Sequence, residues 1–180
     1  MAVVGVALWI NEWMAAACLY FQYRTYLRPG TCDRLKVKQL IPPQAAAGLP
    51  YWALVVNPVE DRIPGKTGLY DSSVLWDIDI WFGEVFSILV TGRHPEAPLW
   101  TCSPARVIHV LQQATDTLAL HPLAPCRYAL RHGGASDDLV KGRRTLDSIK
   151  KRGQWVTDSS LRRYAKESRL QGEVARSRQA

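Results

Sequence analysis

A chain of 180 residues with 47% apolar side chains and seven tryptophans holds enough material for one packed domain and falls outside the disordered class. Its formal charge is +7, and residues 127–180 hold 14 Lys/Arg against 6 Asp/Glu, so the last third carries the excess while the rest is close to neutral. Charge gathered in this way points to a polyanionic partner, of which DNA and RNA are the commonest.

The apolar opening AVVGVALWI has no basic flank and is interrupted by Asn11 and Glu12. That is well short of the ~20 residues a membrane span needs, so the expectation is a buried first helix and no membrane partner. The four cysteines (Cys18, Cys32, Cys102, Cys126) contain no CxxC pair. Three of them sit within apolar or helical patterns, so the cysteines read as buried free thiols rather than disulfides or zinc ligands, in a reducing compartment, nuclear or cytoplasmic.

Apolar residues from Trp9 to Tyr23 recur every three to four positions, which predicts one helix over about 6–27, stopped by Pro29-Gly30. A short second helix fits 31–37. The alternation KVKQL over 36–40 predicts a strand, YWALVV over 51–56 a second and LYDSSVLW over 69–76 a third. The turn-rich NPVEDRIPGK closes their last hairpin and carries Lys66. Residues 80–91 are apolar almost all round and predict a core helix. Ser103-Pro104 caps a helix to about Leu118. Further helices are expected around Arg131, over 144–152 up to Gly153, and after a cap at Thr157 or Asp158. The fold class is α+β, mainly helical, with one small three-stranded antiparallel sheet.

Five residues stand in a telling order: Arg28 in TYLRPGT, Lys66 in GKTG, Arg131 in YALRH, Trp155 in GQW, and Tyr164 nine positions later in SSLRRY. This series resembles the catalytic domain of the tyrosine recombinases, the phage-integrase type that also occurs in eukaryotic mobile elements. The second half, from YALRH to SSLRRY, is the specific part. The resemblance implies a catalytic, DNA breaking-rejoining domain over 1–170; the polar composition of 171–180 reads as a frayed tail. It also implies a preceding DNA-clamping domain, so that this sequence reads as a catalytic half, a truncated form or a decaying mobile-element copy.

The chemistry suits the residue types. Two permanently charged guanidiniums, Arg28 and Arg131, can bind the non-bridging oxygens of a pentavalent phosphorane in bidentate fashion. The resemblance gives Tyr164 the role of nucleophile that holds one strand as a 3′-phosphotyrosine, and Lys66 that of acid for the leaving 5′-oxygen. It gives Trp155 the role of donor to a phosphoryl oxygen. Tyr128 takes the place of the family's histidine, and Thr31 that of an acidic residue three positions after the first arginine. Neither a metal nor any other cofactor is expected. The basic run supplies Arg143, Arg144, Lys150, Lys151, Arg152, Arg162, Arg163 and Lys166 as contacts to double-stranded DNA. The family works as a tetramer on DNA, so self-association is implied. The alternative expectation, prompted by Tyr128 and Thr31, is a catalytically impaired DNA-binding remnant.

Overall fold

The computed structural model describes residues 1–63, 68, 70–123 and 125–157. Lys66, Arg162, Arg163, Tyr164, Lys166, the last expected helix and the tail lie outside the described residues.

The first predicted helix is two. α1 (Ala2–Trp9) ends and α2 (Trp13–Thr25) begins across a turn at Asn11, which has φ +63. The Glu12 N–H donates to the Ala7 carbonyl (2.8 Å) and the Asn11 N–H to that of Leu8 (3.0 Å). This pair of bonds is the Schellman closure, and Asn is one of the few residues that accept its left-handed position. Hydrophobic spacing runs straight through the break, because spacing does not register backbone handedness. Trp9, expected on the buried stripe, is 80% exposed, and Trp13 is exposed as well.

α2 is the central element. It buries Ala15, Ala16, Ala17, Cys18, Leu19, Phe21, Gln22, Arg24 and Thr25, so nearly its whole circumference is covered. It ends at Tyr26, which adopts a left-handed backbone (φ +56), and α3 (Pro29–Asp33) follows with Arg28 as its extended N-cap residue.

The strand expected over 36–40 is mostly a 3-10 turn over Val37–Gln39. The Gln39 side chain accepts from the Lys36 N–H (2.8 Å) and donates to the Val55 carbonyl (2.9 Å), and this local bonding displaces the ladder. What remains is β1 (Leu40–Ile41), which pairs with β2 (Trp52–Val56), which pairs with β3 (Ser72–Trp76). The sheet is antiparallel in that order, with Leu54 opposite Val74 and Trp52 opposite Trp76. Leu40, Leu54, Val56, Val74 and Trp76 face inward.

Residues 80–90 make a 3-10 turn and then α4 (Gly83–Val90). It is not a core helix: Phe82, Phe86 and Leu89 are buried, whereas Ile80, Trp81 and Ile88 are exposed. α5 (Pro104–Thr117) is capped by the Ser103 hydroxyl, which accepts from the Arg106 N–H (3.2 Å). α6 (Arg127–Val140) lies along α2, and α7 (Leu146–Arg152) is capped by Thr145 and ends at Gly153.

The core gathers Phe21, Trp76, Phe82, Phe86 and Trp100, with the Trp76 and Phe86 ring centroids 4.8 Å apart in an edge-to-face pair. A second, smaller cluster of Tyr26, Ala135 and Ile149 lies beneath α6 and α7, with Leu139 and Trp155 against it. Gly134 lets α6 approach α2: a Cβ there would collide with the Tyr23 carbonyl oxygen. All four cysteines are free; Cys18 and Cys32 are buried, but Cys126 is exposed, contrary to expectation. Among the described residues no helix is long and apolar enough to cross a membrane.

Candidate nucleic-acid strand-transfer site

The inner face of α6 repeats polar residues at helical spacing: Arg127, Arg131 and, seven residues on, Asp138. All three are buried against α2. Arg127 donates from Nε to Gln22 Oε1 (2.9 Å) and from Nη1 to Asp33 Oδ1 (2.6 Å), tying α6 to the end of α3.

One turn on, Arg131 is 2% exposed. Its Nη1 donates to the Tyr26 carbonyl and its Nη2 to the Gly153 carbonyl. The guanidinium lies 4.2 Å from the centroid of the Trp155 ring, a cation–π contact in a desolvated place. Trp155 folds back over Gly153, where any Cβ would collide with the indole, and Gln154 turns the chain with φ +53. The glycine two positions before the tryptophan is therefore a steric requirement of this ring position. His132 stands between two rings, 5.4 Å from Tyr128 and 6.5 Å from Trp155. The half-exposed Tyr128 thus joins the group from the outer side of α6.

Arg131 and Trp155 are in contact, and the carbonyl that Arg131 holds belongs to the residue two positions before Arg28. Arg28 is half-buried, and its side chain makes no hydrogen bond or ion pair among the described residues. Its carbonyl closes the first turn of α3 by accepting from Thr31 (3.0 Å) and Cys32 (2.9 Å). A cavity of about 280 Å³ opens beside α3, bounded by Thr31, Arg34, Asn57, Pro58 and Ile63.

The basic run behaves differently from a uniform exposed face. Arg143 binds Asp137 and Asp138 (2.8 Å to the latter). Arg144 binds Asp77 and approaches Asp138 at 3.4 Å. Arg152 donates from Nε to the Arg24 carbonyl (3.0 Å) and from Nη1 to that of Leu75 (2.7 Å). Burial, reinforced by neighbouring Arg144, pulls the Arg152 guanidinium down to about 10. Side chains of Arg144 and Arg152 are nine-tenths covered, so they serve the interior rather than a phosphate-facing surface. A desolvated guanidinium requires carboxylates or carbonyls, and both are supplied here. Lys151 is exposed and Lys150 half-buried.

Two aspartates that the sequence pattern does not single out organise this region. Asp138 accepts from Arg24 Nη1 (3.1 Å), Arg143 Nε (2.8 Å) and the Tyr26 phenol. Asp79 binds Arg24 and the Tyr20 hydroxyl (2.6 Å). Burial and the bond to Asp138 push the Tyr26 phenol well above its usual range. The available signal was an arginine, Arg24, inside a buried helical stretch, and an aspartate two turns after Arg131. Among the described residues no group of His, Cys, Asp or Glu is arranged to hold a metal ion. No model of a known protein family matches the chain, and no curated protein matches it.

Proposed function

We propose that the chain cleaves and rejoins DNA strands through a 3′-phosphotyrosine, in the manner of a tyrosine recombinase catalytic domain, and that its fold is of that kind. The reading is supported chiefly by the pairing of YALRH with GQW. The arginine of one motif lies under the tryptophan of the other, and the turn before Arg28 is bonded to that same arginine. In the proposed step the Tyr164 phenol gives its proton to solvent and its oxygen bonds to phosphorus as the bond from phosphorus to the 5′-oxygen breaks. The leaving oxygen keeps the electron pair and takes a proton from Lys66. Arg28 binds the non-bridging oxygens as they gain charge, with Arg131 and Trp155 beside it. Double-stranded DNA is the substrate, and self-association on it belongs to the same reading.

The test is a pool of duplexes with randomised sequence, each nicked just downstream of the cleaved bond so that the short fragment carrying the freed 5′-hydroxyl diffuses away. Wild-type protein is expected to give a covalent protein–DNA band that survives denaturation and disappears in Tyr164→Phe. No band, or a band that persists in Tyr164→Phe, overturns the reading.

A second reading is a binding module without turnover. It is favoured by the engagement of both Arg131 terminal nitrogens with backbone carbonyls and by Tyr128 standing where a better proton acceptor would be expected. It predicts salt-sensitive duplex binding and no covalent band.

A further inference from the structure

We propose that Tyr26 is a positioning residue that sets the Arg28 guanidinium at the phosphate site, because α6 grips it at both ends; this rests on the strand-transfer reading above. The Tyr26 carbonyl accepts from Arg131 and its phenol donates to Asp138, and these two partners lie seven residues apart on one face of α6. Tyr26 is fully buried. The Arg152 guanidinium lies 5.7 Å from its ring centroid and the Trp155 ring 6.2 Å from it.

The backbone gives this grip its consequence. Tyr26 sits at φ +56, a conformation that Gly or Asn takes readily and that is strained for a tyrosine. A large aromatic residue persists there because its surroundings over-determine it. The chain leaves α2 at this residue, Leu27 is held by the Gln22 amide on its carbonyl (3.2 Å), and Arg28 follows. Arg28 has no side-chain partner of its own among the described residues, so the backbone that delivers it fixes where its guanidinium can reach. Asp138, the acceptor for the phenol, also binds Arg24 and Arg143, so Tyr26 is held by a carboxylate that is itself fixed.

The experiment uses the full chain and a sequence-independent probe, thymidine 3′-(4-nitrophenyl phosphate). The Tyr164 oxygen bonds to phosphorus, the aryl P–O bond breaks, 4-nitrophenolate leaves with the electron pair, and the phenol proton passes to solvent. Absorbance follows the nitrophenolate, and peptide mass locates the nucleotide on Tyr164. Tyr26→Phe keeps the ring and removes only the bond to Asp138. It is expected to lower the single-turnover rate of nitrophenolate release roughly 10- to 100-fold, the scale of a small misplacement of a catalytic group, with the half-saturating probe concentration and duplex affinity unchanged. In an Arg28→Lys background the same substitution is expected to change that single-turnover rate less than about twofold, because its effect acts through Arg28. Thermal midpoints of all four proteins are measured alongside. The inference is overturned if Tyr26→Phe releases nitrophenolate at the wild-type rate, or if it loses the same factor with and without Arg28. If wild type places no nucleotide on Tyr164, the strand-transfer reading itself fails and this inference with it. That outcome is distinct from an active wild type indifferent to Tyr26→Phe.

Discussion

Two regions are built on the same helix and obey different rules. Phe21 of α2 enters the aromatic core with Trp76, Phe86 and Trp100, whereas Arg24, one turn later, enters a charged seam with Asp79 and Asp138. Contacts in the core are non-directional, so a change of shape there is absorbed by neighbours of similar volume. Contacts in the seam are directional and partner-specific, so the loss of one group strands several others. The core holds the sheet, α4 and α5 on α2, while the seam fixes the end of α2 relative to α6, where Arg28 and Arg131 stand.

The largest contrast comes from deleting the centre of each region. Asp138→Ala leaves Arg24, Arg143 and the Tyr26 phenol without their shared acceptor, and the expected loss is about 3–5 kcal/mol in urea unfolding. A loss near zero would mean that water replaces the carboxylate and that the seam is not a buried unit. Phe86→Leu removes ring contacts but keeps apolar volume, and about 1.5 kcal/mol is expected. Should Phe86→Leu cost more than Asp138→Ala, the ranking of the two regions would be reversed.

Gly153→Ala probes the seam's edge. The added methyl displaces the Trp155 ring from Arg131, with an expected cost of about 1–2 kcal/mol in the same assay. The smallest effect is acid sensitivity. Burial raises Asp77 and Asp137, but Arg144, Arg152 and a backbone hydrogen bond together outweigh it at the first and Lys141, Tyr23 and Arg143 at the second, so both fall below the ordinary 3.8. A carboxyl whose folded value is lowered contributes stability above its unfolded value and loses it as the pH falls through the folded one. The melting temperature is therefore expected to stay level from neutral pH to about 5 and to drop below about 4, and to drop less steeply in Asp77→Asn.

The same division explains what could be seen in the sequence. YWALVV, the Ser103-Pro104 start of α5 and the Gly153 end of α7 follow from local propensity, and the three-stranded sheet and helical majority appear as read. The break at Asn11 escaped because it depends on one backbone angle beneath a continuous apolar pattern. The seam escaped for another reason. Asp79 and Asp138 look like turn and cap residues until tertiary packing brings Arg24 to them from 55 and 114 positions away. The basic run was visible as charge, but its inward-facing arginines could not be separated from Lys151 without their acidic partners.

The central claim is that Arg28 is held in place by the seam and left available for phosphate. It is tested most directly by the covalent-adduct yield of Arg28→Lys on nicked duplex, with the melting temperature taken on the same sample. A fall of about 100-fold or more with an unchanged melting temperature is predicted, since an ammonium cannot reproduce a bidentate guanidinium. An undiminished yield, or a loss of yield that merely follows a lowered melting temperature, would contradict it.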